Sequence, residues 1–94
     1  MIIGKWVSKK SFAGTVTIVF YKNNNGYALC DSCQKVIKFN YETSRKGILK
    51  MRGSYGSDLY FIKLLTLNKL SLRGYPYKKY RESISMFNTD FFKQ

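Results

Sequence analysis

The chain has 94 residues, the length of one domain, and its 45% apolar and 17% aromatic content excludes a disordered tail and predicts a modest packed core. Seventeen Lys and Arg against five Asp and Glu leave a net charge of +12, with no histidine to modulate it. That excess points to an anionic partner, whether nucleic acid, acidic protein, anionic lipid surface or acidic small ligand; the plainer alternative is a lysine-rich solubilising surface.

Met1-Ile2-Ile3-Gly4-Lys5-Trp6 turns polar too early for a signal peptide. No apolar run approaches the roughly 18 residues of a spanning helix. The chain is therefore expected to be cytoplasmic, or secreted or periplasmic if a signal peptide was removed.

Short apolar runs separated by turn residues predict an all-β fold. The first run is 3–7. In the second, 15–21, Val16, Ile18 and Phe20 share one face by the period-two rule. Asn23-Asn24-Asn25-Gly26 predicts a hairpin turn, because Asn and Gly tolerate positive φ, and 27–30 returns from it. Residues 31–34 turn again into 36–42, with Ile37, Phe39 and Tyr41 inward and Lys38, Asn40 and Glu42 outward. After a turn at 44–47, 48–52 buries Leu49 and Met51 and exposes Lys50 and Arg52. A loop over 53–58 leads into 59–65, with Tyr60, Ile62 and Leu64 inward. A tight connection at 68–69 starts 69–73, with Leu70 and Leu72 inward. The last strand is expected at 77–81, after the sole proline, Pro76, with Tyr80 inward.

About eight antiparallel strands in a meander tend to curl and close, which removes exposed edges. The expected architecture is one domain over 1–94, with a small barrel over 1–82 and a short helix or tail over 83–94. The helix follows from Ile84, Phe87, Phe91 and Phe92, at i, i+3, i+7 and i+8; an interaction peptide or a ninth strand are the alternatives. The inward set is bulky for so short a chain, which favours a filled barrel over a roomy one.

Gly4-Lys5-Trp6 on the first strand, Gly14-Thr15-Val16-Thr17 on the second and Leu70-Ser71-Leu72 near the end resemble the lipocalin-like (calycin-type) barrels of small bacterial proteins. The resemblance spans roughly positions 4–81. It implies that Gly4 and Trp6 close one end of the barrel beneath an arginine of the last strand, for which Arg81 is the candidate. Guanidinium over indole is a cation–π contact. It also implies a binding protein for a small ligand or protein partner. The chain departs from the family in being shorter and in lacking its middle Thr-Asp-Tyr-like motif, since Thr89-Asp90-Phe91 comes too late.

Catalysis has little support. The usual general base is missing, and Asp31, Glu42, Asp58, Glu82 and Asp90 are scattered. No metal site and no cofactor are expected. Cys30-Asp31-Ser32-Cys33 reads as a structural disulfide or two inert thiols. A zinc half-site would need two more ligands from a second copy, and a redox pair would ordinarily open a helix. Binding is better supported. The outward residues Lys38, Lys50, Arg52, Phe61, Lys63, Lys69 and Arg73 would form one cationic face with an aromatic among them. Such a face suits an acidic protein or small anionic ligand, or, as the alternative, nucleic acid. The plainer reading is that outward strand positions must be polar, and here that means lysine.

Overall fold

The computed structural model describes residues 2–11, 13–53, 56–74 and 87–94. Eight strands follow in chain order: β1 (Gly4–Ser11), β2 (Gly14–Phe20), β3 (Asn25–Cys30), β4 (Ile37–Thr43), β5 (Ile48–Gly53), β6 (Gly56–Leu65), β7 (Lys69–Gly74) and β8 (Asp90–Lys93). Each pairs antiparallel with the next, and β8 returns to β1, so the sheet is a closed meander barrel. Closure satisfies the edge groups that an open sheet would leave unpaired. Among the described residues no helix is long and apolar enough to cross a membrane.

The interior is filled by side chains. Trp6, Val16, Ile18, Phe20, Leu49, Met51, Tyr60, Leu70, Leu72 and Phe91 are fully buried, and Phe39 and Tyr41 nearly so. Phe20, Phe39 and Tyr41 meet edge to face, with centroids 4.9 to 6.4 Å apart, the preferred geometry for such rings. Apart from Trp6 and Phe91, these are residues that strand alternation predicts to be inward, and Ile37 and Ile62 pack against them while partly exposed.

Leu64 differs: it is exposed, and Leu65 packs against the core in its place. The β6–β7 register shifts between Ile62 and Leu64, with Ile62 opposite Leu72 and Leu64 opposite Ser71. The extra residue of such a bulge reverses the alternation beyond it.

The C-terminal segment also differs. Residues 90–93 form a strand, not the helix that the spacing of Phe87, Phe91 and Phe92 predicts, and the barrel runs on to Lys93. A helix there would leave β1 and β7 as open edges, whereas β8 pairs with both. Phe91 then points inward and Phe92 outward by the period-two rule. Phe87 is buried in the preceding turn, edge to face with Tyr60 at 5.8 Å. The strand expected at 77–81, with Tyr80 and Arg81, lies outside the described residues, as do Pro76 and Ile84.

The barrel end at Trp6 is closed by Lys93. Its Nζ lies 4.6 Å from the indole centroid and donates to the Ile3 carbonyl at 2.6 Å. Gly4, at φ 129°, leaves the space that this ammonium occupies: a Cβ there would lie 2.3 Å from Nζ. Trp6 Nε1 donates to the Ile2 carbonyl at 2.8 Å, folding the N-terminal Ile2 into the core. The arginine expected at this ring, Arg81, lies outside the described residues, among which Lys93 is the cation over the indole.

Candidate functional site: a groove on the outer face of β3 to β5

The site begins with an inverted strand. In β3 the inward residues are small, Gly26 and Ala28, and the large ones, Tyr27 and Leu29, face out. The cause is Phe39 on β4. A Cβ on Gly26 would lie 2.7 Å from the Phe39 ring and 2.3 Å from the Val19 carbonyl oxygen. The interior is already full at this level, so β3 presents its bulk to solvent.

Tyr21 completes the aromatic wall, with its ring centroid 6.0 Å from that of Tyr27. It is held from inside the barrel. The Tyr41 hydroxyl donates to the Tyr21 carbonyl at 2.5 Å, and Tyr41 N donates to the Asn24 carbonyl at 2.8 Å. Burial raises the Tyr41 hydroxyl above its ordinary pKa, so it stays a donor across the neutral range. Asn24 takes φ 65° in the turn, as the Asn run predicts.

Val36 enters from the β3–β4 connection. Cys30 and Cys33 form a disulfide there. Asp31 fastens the connection to the β1–β2 hairpin: its Oδ2 accepts from Thr15 N at 2.8 Å, and its own N donates to the Thr15 carbonyl at 3.1 Å.

Together these residues bound an open groove of about 1030 Å³, whose walls are Tyr21, Tyr27, Leu29 and Val36 and whose floor includes Gly26, Phe39 and Gly53. Lys38, Asn25, Asn40 and Arg52 supply its polar groups. Lys38 lies opposite Tyr27 and Arg52 opposite Asn40 in the sheet register. No carboxylate among the described residues lines it. A smaller polar hollow of about 440 Å³ adjoins it, sharing Asn25, Asn40 and Arg52 and adding Lys50 and Glu42.

The expected cationic face therefore divides. Lys38 and Arg52 meet in the groove, and Lys50 sits beside it, opposite Glu42. Lys63 is exposed at the β6 bulge, and half-buried Phe61 lies opposite Ile48 and Arg73. Lys69 and Arg73 are ion-paired to Asp90 at 3.7 and 3.3 Å. Tyr21, Tyr27, Leu29 and Val36 are additions to the sequence-derived set. For Tyr27 and Leu29 the signal is the alternation of small and large residues in 26–29.

Asp90 is held below its ordinary carboxylate value of 3.8, first by the Ser71 hydroxyl, which donates at 2.6 Å, and then by Lys69 and Arg73; partial burial opposes them. A lowered folded pKa means that this contribution is present above the unfolded value and is lost as pH falls through the folded one. Asp90→Asn is expected to destabilise the barrel at neutral pH by about 1 kcal/mol, the scale of a half-exposed charge-assisted contact. Urea denaturation of both proteins near pH 7 and near pH 2 checks this; the difference should vanish at the lower pH.

No protein-family model matches the chain, and no curated protein matches it.

Proposed function

We propose that this chain is a non-enzymatic, lipocalin-like binding domain that takes an anionic partner on its outer groove rather than inside its barrel. The observation that carries the reading is the pairing of Lys38 and Arg52 with an uncovered apolar wall on a surface free of described carboxylates. Cations beside apolar area form a surface that attracts an anion at long range and holds it at short range.

The lipocalin-like part is supported by the eight-stranded closed meander and by a Gly-x-Trp opening whose indole is buried beneath a cation. The filled interior argues against the small-ligand version that places a guest in the barrel. Absence of catalysis is supported by the side-chain inventory. The chain has no histidine, and two of its five carboxylates, Asp31 and Asp90, already hold structure.

The test compares two charge-matched double variants for affinity to labelled polyglutamate and to an oligothymidylate. Lys38→Glu with Arg52→Glu alters the groove; Lys9→Glu with Lys10→Glu alters exposed residues of β1. The groove variant is expected to lose at least about tenfold more affinity than its control for one of these anions, the size of one to two kcal/mol of local contact. Equal losses would show that net charge alone drives association and would overturn the reading.

A further inference from the structure

Resting on the anionic-partner reading above, we infer that the groove takes an acidic peptide segment in which a large apolar side chain sits next to its carboxylates. Three features select a peptide. First, part of the groove's apolar lining is aliphatic: Leu29 and Val36 are 41% and 49% exposed and line the groove rather than the core. An aliphatic wall does little for a nucleobase, which gains from stacking on aromatic planes, but it accepts a leucine or phenylalanine anchor. Second, Asn25 and Asn40 lie opposite each other in the β3–β4 register and both line the groove. Each amide carries donors and an acceptor, the pattern that a peptide backbone presents in return.

Third, among the described residues the groove itself is lined by two cations, Lys38 and Arg52. Beyond Arg52 the next outward row sets Glu42 against Lys50, and further round the barrel Asp90 engages Lys69 and Arg73. A phosphate backbone needs a run of cations, because its affinity grows with each phosphate neutralised. One or two carboxylates beside an anchor need only Lys38 and Arg52, the latter able to grip a carboxylate with two parallel N–H donors.

The experiment uses the full chain and three labelled probes: a short peptide with a central leucine–phenylalanine pair flanked by aspartates, the same peptide with that pair replaced by serines, and an oligothymidylate. Binding is read by fluorescence anisotropy at low and moderate salt. The anchored peptide is expected to bind at least about tenfold tighter than its serine counterpart, as the burial of two apolar side chains would give. Leu29→Ser with Val36→Ser, both at exposed positions, should erase that advantage. Equal affinity for the two peptides overturns the inference. So does tighter binding of the oligothymidylate than of either peptide; if that binding is lost in the Lys38/Arg52 charge-reversal variant, the anionic-partner reading survives without the peptide. Failure of all three probes to bind overturns both.

Discussion

Trp6→Ala is expected to cost about 3–5 kcal/mol, the range for emptying a buried aromatic site. The indole is fully buried, and three independent contacts converge on it. Its Nε1 holds the Ile2 carbonyl, its face carries the Lys93 ammonium, and it faces Ile18 across the β1–β2 pair. Lys93 belongs to β8, so the same ring ties the first strand to the last. Small domains have only about 5–15 kcal/mol in total, and a chain of this length loses about 4–8 °C of Tm per kcal/mol. A fall of roughly 12–40 °C in a thermal melt is therefore the expected result. Lys93→Met separates the parts: it keeps much of the apolar stem and removes the cation, for a loss of about 1 kcal/mol. A Trp6→Ala variant that melts within a few degrees of the parent would place the ring outside the core.

Gly26→Ala is expected to cost about 3 kcal/mol, the upper end of the overpacking range. The added methyl would meet both the Val19 carbonyl oxygen, at 2.3 Å, and the Phe39 ring, at 2.7 Å. The ring can tilt; the carbonyl is backbone of β2 and can move only with its strand. Gly26→Ala in a Phe39→Leu background is therefore expected to recover only part of the loss, because the backbone obstacle remains. Denaturant midpoints of the two single variants and the double variant measure this directly. Full recovery in the double variant would mean that the ring alone requires the glycine. The consequence reaches the site, since Gly26 is what lets the core close over Phe39 while Tyr27 and Leu29 stand outside.

Much of the barrel was legible where alternation and turn chemistry agree. Val16, Ile18 and Phe20, then Phe39 and Tyr41, then Leu49 and Met51 each read as one inward face, and Asn23 to Gly26 reads as the turn between β2 and β3. What was not legible depends on the whole sheet. The parity of Leu64 reverses because of a bulge, and no local pattern marks one. The four residues of β8 read as helical through the spacing of Phe87 and Phe91, and the demand that makes them a strand is the pair of edges left by β1 and β7. Lys69 and Arg73 read as available cations because nothing local shows that β7–β8 pairing brings Asp90 against Ser71. The groove was half legible: Lys38 and Arg52 are outward by period, but the outward turn of Tyr27 and Leu29 follows from the size of Phe39 on the next strand. A cation on Trp6 was legible in kind, and among the described residues it is Lys93 of β8.

A filled barrel and an uncovered outer groove make opposite demands on where a partner can be felt. The most direct measurement is the amide and methyl NMR spectrum of the labelled protein titrated with the aspartate-flanked leucine–phenylalanine peptide. Shifts confined to Tyr21, Tyr27, Leu29, Val36, Lys38 and Arg52 are the predicted result. The largest shifts at Leu49, Met51, Tyr60 and Leu72, deep inside the barrel, would contradict it.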